Sequence, residues 1–281
     1  RYGKLVERFE ARFGKQSGGL YFFSAPGRTE IGGNHTDHNN GKVLAASINL
    51  DAIAIAAKRD DMKINEKSEG HGLNEVDIST LSPDEAEYGR SSSMIKGVAA
   101  GLKEKGYEIG GFDACTTSDV MGGSGLSSSA AFEVLIATVI NHLYNDGKID
   151  AVTVAKAAQF SENVYFGKPS GLLDQMASSV GTFVTIDFKD TANPVIKKVD
   201  FDFAKSGYSL CIVDTHGNHS DLTDDYAAVR GEMEAVAKAM GKNVLREVEY
   251  EEFFQSLDVL KEKVNDRALL RAFHFFGENE R

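Results

Sequence analysis

The chain has 281 residues, 42% apolar and 26% charged, an ordinary composition for a globular protein with room for two domains or one large one. Its formal net charge of −11 argues against general affinity for nucleic acid or anionic membrane. A nucleotide ligand would therefore have to be held locally, by backbone amides, a metal ion and a few placed cations.

The two cysteines, Cys115 and Cys211, sit in apolar, strand-like segments. They read as buried small hydrophobes, which fits a reducing, cytoplasmic setting. The longest weakly polar run, residues 43–57, contains Asn49 and Asp51 and is too short to span a bilayer. No secretory signal is visible. The chain begins at Arg1 rather than Met, so its natural N-terminus is expected upstream.

Residues 4–14 place Leu5, Val6, Phe9 and Phe13 on one helical face, and Gly18 and Gly19 end that helix. Residues 20–24 read as a short strand. Residues 25–44 form a polar, Gly-rich loop carrying Arg28, Glu30, Asn34, His35, Asp37 and His38. Loops held by strands are where functional groups concentrate. His35, Asp37 and His38 are spaced too closely for two ligands from one helix face, and no cysteine is near, so a metal site is not expected there. Residues 43–58 read as one or two strands and 62–77 as a hairpin or loop. Residues 91–106 read as a helix with Ile95, Val98 and Leu102 inward.

Residues 111–120 alternate in strand fashion, with Phe112, Ala114 and Thr116 against Asp113, Cys115 and Thr117. They run into V-M-G-G-S-G-L-S-S-S-A-A at 120–131. Residues 130–144 then form a long apolar stretch without Gly or Pro, the pattern of a buried helix. The first turn of a helix carries unpartnered N–H groups and the positive end of the dipole, and glycines let a phosphate come close. No Gly-Lys-Ser/Thr follows, so this is not a Walker A loop. The competing reading is a flexible connector or a serine-capped turn, although a linker would not lead straight into an apolar helix.

Residues 151–167 read as a helix with Val154, Ala155, Ala158 and Val164 apolar and Glu162 in its last part. An acid at that end is unfavourable for the dipole, so Glu162 is expected to be solvated, or else to serve a cation. Asp174 is the only charge in 170–181 and reads as an N-cap or a working carboxylate. Residues 181–188 and 208–214 read as strands, 221–240 as a helix containing Tyr226, and 249–264 and 266–276 as helical.

Three separated stretches carry a family likeness. A-P-G-R-T-E-I-G-G-N-H-T-D-H-N at 25–39, G-G-S-G-L-S-S-S-A-A at 122–131 and G-L-L-D-Q-M-A-S-S-V-G at 171–181 resemble the GHMP small-molecule kinases, and within them the galactokinase branch. Weaker agreement runs through 218–226 and 271–281. The resemblance implies a mixed α/β (α+β) two-domain fold. Its N-terminal domain (1–200) would resemble the ribosomal-protein-like domain 2 fold. A ferredoxin-like C-terminal domain would begin at 201, incomplete at 281, with the active site in the cleft between the two.

The resemblance further implies roles for particular residues. Asp174 would accept the proton of the sugar's anomeric hydroxyl as that oxygen attacks the γ-phosphorus, and Arg28 would keep Asp174 ionised and stabilise the transferring phosphoryl group. Gly123, Ser124, Gly125, Leu126, Ser127, Ser128 and Ser129 would hold ATP, with Ser68 on the adenine side. Ser129 and Glu162 would bind Mg²⁺. Asn34, His35, Thr36, Asp37 and Tyr226 would bind galactose.

The chain departs from the family pattern in several places. Asn34 stands where the family usually has Glu, Glu30 where it has Asn, and His38 where it has Tyr. These changes bear on the sugar more than on the reaction. A related sugar-1-kinase for an N-acetylated, acidic or pentose sugar is the first alternative, and a non-catalytic sugar- and ATP-binding regulator the second. No nucleic-acid or membrane partner is implied, and the parent protein is expected to be a monomer or weak dimer. Family members continue beyond the position of Arg281 with a third Gly-rich motif, so residues 1–281 alone are expected to be weakly active or inactive.

Overall fold

The computed structural model describes residues 1–213 and 223–281, without the side chains of Phe203, Ala204, Thr223, Asp224 and Tyr226. Helix α1 (Tyr2–Phe13) precedes strands β1 (Tyr21–Gly32), β2 (Lys42–Lys58), β3 (Lys63–Ser68) and β4 (Leu73–Asp77). Helix α2 (Ser91–Glu104), strand β5 (Phe112–Ser118) and helices α3 (Ser128–Tyr144), α4 (Ala151–Phe160) and α5 (Leu173–Val180) follow. Strands β6 (Phe183–Asp187) and β7 (Val195–Val199) come next, then helices α6 (Phe203–Ser206), α7 (Thr223–Ala239), α8 (Tyr250–Gln255), α9 (Leu257–Leu260) and α10 (Asp266–Glu280).

The chain forms two compact units. One comprises Arg1–Arg28 and Ser47–Gly181, the other Thr29–Ala46 and Thr182–Arg281.

In the first unit the later part of β2 pairs antiparallel with β5, β5 parallel with β3, and β3 antiparallel with β4. The period-2 alternation of β2 separates its two faces. Ala52, Ala54 and Ala56 face the main core, where they meet Ile95, Val98 and Leu102 of α2 and Leu135, Ile136, Val139 and Ile140 of α3. Ile53, Ile55 and Cys115 face the other way and are covered by Leu5 and Phe9 of α1. Helix α3 is apolar on nearly every side because it is buried among these elements.

In the second unit residues 42–46 of β2 pair antiparallel with β6, and β6 with β7. Helices α7 and α10 pack Met233, Val236 and Ala237 against Ala268, Leu269, Ala272 and Phe275. Phe253 of α8 fills the end of this core, its ring 5.0 Å from Phe273 and 5.1 Å from Phe276.

Several elements differ from expectation for identifiable reasons. Strand β1 continues to Gly32, so the first part of the expected 25–44 loop is sheet. Its inward positions after Phe23 are Ala25 and Gly27, too small to reveal the alternation. Residues 161–165 form a π turn that closes the helix expected over 151–167. Residues 208–213 lie in no strand and Asp214 is outside the described residues; Tyr208 is 74% and Val213 80% exposed. Apolar alternation makes a strand only where another strand offers its edge, and none pairs with 208–213 among the described residues. Cys211 is therefore exposed, contrary to expectation, while Cys115 is buried in β5. Strand β7 has only Ile196 part-buried in its pattern, and gives little sequence signal.

Candidate active site

The Gly/Ser segment joins β5 to α3 within the first unit. Gly123, Gly125 and Ser127 take positive φ, of 72°, 76° and 61°. Two glycines and a serine thus provide the left-handed turns that fold the loop over the helix start. Ser124 Oγ donates to the Met121 carbonyl at 2.6 Å. No side chain caps the N-terminus of α3, so its first N–H groups keep their capacity to bind an anion.

Within the first unit, β1 meets this loop backbone to backbone at Arg28. Arg28 N–H donates to the Leu126 carbonyl at 3.0 Å. A Cβ on Gly27 would lie 2.9 Å from that same oxygen, so only glycine permits the approach. Arg28 then reaches in two directions. Its Nη1 donates to the Gly125 carbonyl at 2.5 Å, and its Nε to Asp174 Oδ1 at 2.7 Å. Ser127 Oγ donates to Asp174 Oδ2 at 2.5 Å. Asp174 lies in the first turn of α5 and is not its N-cap, which is Leu172. Burial pushes the Asp174 carboxyl up, but the charge and hydrogen bond of Arg28, with Ser127 and Lys168, hold it below the usual aspartate range.

A second cluster lies behind the loop. Glu162, in the π turn, is 2% exposed, so the expectation of a solvated residue is overturned. Its Oε1 accepts from Ser129 Oγ at 3.1 Å and pairs with Lys168 Nζ at 2.9 Å, while its Oε2 accepts from Gln175 Nε2 at 2.7 Å. The other contact of that Gln175 amide is the Glu133 carboxylate at 3.3 Å. Burial, and then the nearby Glu162 charge, push the Glu133 carboxyl well above the ordinary glutamate range, although Gln175 opposes this. Glu133 Oε1 and Gln175 Oε1 are buried without a partner among the described residues.

Among the described residues no group of three or more His, Cys, Asp or Glu converges on a point. Magnesium does not require one. It is commonly held by one or two protein oxygens together with substrate phosphates and water. The Ser129 hydroxyl and Glu162 carboxylate are hard oxygen donors of that kind, and Lys168 shows that the position attracts a cation.

Ser68 ends β3, its hydroxyl 2.7 Å from both Glu66 Oε1 and Thr116 Oγ1. Ser128 is half-buried in the first turn of α3.

The remaining residues singled out from the sequence lie in the second unit. A turn at Asp37–Asn39 shapes the loop between β1 and β2. Asn34 is exposed, His35 takes φ 58°, and the His35 and His38 rings stack 6.4 Å apart. Asp37 keeps only 8% of its side chain exposed, with His38 Nε2 4.0 Å away. Thr36 is fully buried, its hydroxyl 2.8 Å from both the Gly33 and Lys42 carbonyls, so contrary to expectation it holds the loop rather than offering its side chain to a sugar. Asn39 Oδ1 accepts the Leu245 N–H at 3.0 Å. Tyr226 belongs to α7, but its side chain is outside the described part, as are residues 218–222 of the weaker family stretch.

Lys168, Gln175 and Glu133 escaped the sequence reading. Gln175 adjoins Asp174, but its amide donates to Glu162 and Glu133. Glu133 is the one acid in the apolar stretch 130–144, and that isolation was the available signal.

The family model for the galactokinase galactose-binding signature matches residues 7–58, and that for the GHMP kinases N terminal domain matches 93–182. The chain is 34% identical over 281 residues to the galactokinase of Streptomyces coelicolor, covering 99% of this chain and 71% of that one. It is 33% identical over 286 residues to the galactokinase of Clostridium tetani, with 99% and 70% covered. The crystal structure of Lactococcus lactis galactokinase complexed with galactose matches with a TM-score of 0.81 at 27% identity, over 99% of this chain and 72% of that one. The mevalonate kinase of Methanococcus jannaschii shares the fold, with a TM-score of 0.57 at 14% identity over 88% of this chain and 80% of that one.

The mixed α/β fold, with the family model that spans the strand–Gly/Ser loop–helix unit, is that of a GHMP kinase. The curated relatives narrow the class further. The chain belongs to the galactokinase family.

Proposed function

We propose that this protein phosphorylates galactose at its anomeric hydroxyl, using ATP, to give galactose 1-phosphate. The observation that carries the reading is the Arg28–Asp174–Ser127 constellation at the Gly/Ser loop. It supplies an ionised carboxylate whose protonation is opposed by a fixed guanidinium.

In this reading the anomeric O–H gives its proton to Asp174 as the oxygen bonds to the γ-phosphorus. The bond from that phosphorus to the bridging oxygen breaks, and ADP leaves with the electron pair. Arg28 keeps Asp174 basic and stabilises charge on the phosphoryl oxygens. The uncapped start of α3 and the loop from Gly123 to Ser129 hold the ATP phosphates, with Ser68 toward the adenine. Ser129 and Glu162 would hold Mg²⁺, which when bound neutralises phosphate charge. Asn34, His35, Asp37 and Tyr226 pair the sugar hydroxyls, and buried Thr36 keeps the loop closed. The reaction is cytoplasmic in this reading. Among the described residues no helix is long and apolar enough to cross a membrane.

The test is ADP release by the purified full-length protein with MgATP and a panel of hexoses, N-acetylhexosamines, uronic acids and pentoses. Galactose is expected to give the highest kcat/KM. A second reading, a sugar-1-kinase for another of these sugars, draws on exposed Asn34, which donates a hydrogen bond as well as accepting one. Preference for a non-galactose sugar would support it.

A further inference from the structure

The loop that leaves β1 and enters β2 is gripped at both ends by one helix. At its entrance the Gly33 N–H donates to Glu278 Oε2 at 2.8 Å. At its exit the Lys42 N–H donates to Asn279 Oδ1 at 2.8 Å. One residue into the loop, a His274 ring nitrogen lies 2.7 Å from the Asn34 carbonyl. A carbonyl only accepts, so that nitrogen carries the proton. His274 and Glu278 are four residues apart on one face of α10, which is why both reach the same end of the loop.

The grip is itself braced. Arg246 Nη1 donates to Asn279 Oδ1 at 2.9 Å, and its Nη2 to Asp187 Oδ2 at 2.9 Å. Asp187 is the β6 residue opposite Lys42 in the sheet register. The Glu278 carboxylate is 10% exposed and also pairs with Arg281. Burial raises its pKa, but the Gly33 N–H, Arg281 and His274 outweigh burial and keep it ionised.

All three α10 contacts go to main-chain atoms of the loop. They fix its path without touching the side chains that the functional reading assigns to the sugar. Gly33 and Lys42 bracket Asn34, His35 and Asp37, so a displaced end would move those side chains together. The bond to the Glu278 carboxylate is charge-assisted, a kind about twice as strong as neutral ones.

We propose that Glu278 and Asn279 are positioning residues for sugar recognition, holding residues 33–42 in the shape that binds the substrate. The inference rests on the reading of this loop as the sugar-binding element. It adds that affinity for the sugar is set in part from α10, by residues that never contact the ligand.

The experiment compares wild type with Glu278→Ala, Glu278→Gln, Asn279→Ala and Asn279→Asp in the full-length protein. Three measurements are made: amide hydrogen exchange at Gly33 and Lys42 without sugar, galactose Kd by calorimetry, and KM for ATP. The alanine variants are expected to speed exchange at their own amide, Gly33 for position 278 and Lys42 for position 279. They are also expected to raise galactose Kd by roughly tenfold or more, the scale of a lost hydrogen bond to a charged or braced group. KM for ATP is expected to stay within about twofold of wild type, a shift of only ~0.4 kcal/mol. Glu278→Gln and Asn279→Asp keep an acceptor oxygen and are expected to recover most of the affinity.

Unchanged exchange in the alanine variants overturns the grip, whatever the ligand. Faster exchange with unchanged galactose Kd overturns its role in recognition and leaves a structural contact only. If Glu278→Ala does not fold, the Asn279 pair decides the matter by the same criteria. Wild-type protein that binds no galactose contradicts the functional reading, and with it this proposal, without touching the exchange result.

Discussion

Arg28 and Asp174 stand 146 positions apart in sequence and meet at 2.7 Å, with Ser127 closing on the second carboxylate oxygen at 2.5 Å. This pair joins Arg28 of β1 to the start of α5, and the same guanidinium holds the Gly125 carbonyl. The aspartate and the Gly/Ser loop are therefore fixed by one side chain, and a change at Arg28 touches both.

Removing that cation should alter the pH profile. The Asp174 carboxyl lies below its ordinary value of 3.8 in the folded protein. A carboxyl with a depressed folded pKa stabilises the fold above its unfolded pKa, and that contribution is lost as pH falls through the folded value. The acid limb of kcat/KM governed by Asp174 is thus expected below pH 3.8 in wild type. Arg28→Met removes the largest influence opposing burial and leaves only Ser127 and Lys168, so the limb should move upward, with kcat reduced by roughly 10²–10³. An acid limb unchanged in Arg28→Met contradicts the pairing as the cause.

Glu133 offers a stability measurement independent of catalysis. Its pKa is raised on folding, so the folded state binds a proton that the unfolded state has released. Between the unfolded value of about 4.3 and the folded value, stability should fall by up to about 1.4 kcal/mol per pH unit. Glu133→Gln mimics the protonated acid and should remove that slope. Urea unfolding at two pH values for each protein reads the difference. Equal pH dependence in both would mean that Glu133 is ionised when folded.

Lys168 gives Glu162 its only cation among the described residues. Lys168→Met leaves a nearly fully buried carboxylate without that partner. Because Lys168 is itself half exposed, the expected cost is modest, about 1–2 kcal/mol, well short of a fully buried pair. A drop of several degrees in Tm without metal, partly restored by Mn²⁺ with ADP, is the expected result. If Mn²⁺ with ADP raises Tm no more in the variant than in wild type, Glu162 does not serve a cation in place of Lys168.

Gly33 has φ +83°, and a Cβ there would lie 2.2 Å from the Lys42 carbonyl oxygen. Strain and clash act in the same direction, so Gly33→Ala should destabilise by about 1–3 kcal/mol or more. It should also weaken galactose binding while sparing ATP. Thermal melting and calorimetry separate the two effects. Wild-type behaviour in both would show that the turn can relax.

The legible parts of the molecule were those with local signals. The Gly/Ser turn between β5 and α3 announced itself through composition and through the uninterrupted apolar run that follows. Asp174 stood out as a lone charge. What the sequence hid was relational. Glu162 read as solvated because Glu133 and Gln175, which with nearby Lys168 enclose it, come from two other helices. The alternation of β1 past Phe23 was masked by Ala25 and Gly27. Residues 208–213 have strand chemistry, and lie in no strand, because β pairing depends on a neighbour that composition does not report. The contact between His274 and Asn34 spans 240 positions, a separation over which no local pattern reports pairing.

The most direct measurement is galactose-dependent ADP release by the full-length protein and its Asp174→Asn variant, with galactose binding followed in parallel. Wild type should turn over, and the variant should lose kcat by roughly 10²–10⁴ while still binding galactose. Turnover retained in Asp174→Asn would contradict Asp174 as the proton acceptor, and no turnover of galactose by wild type would contradict the proposed activity.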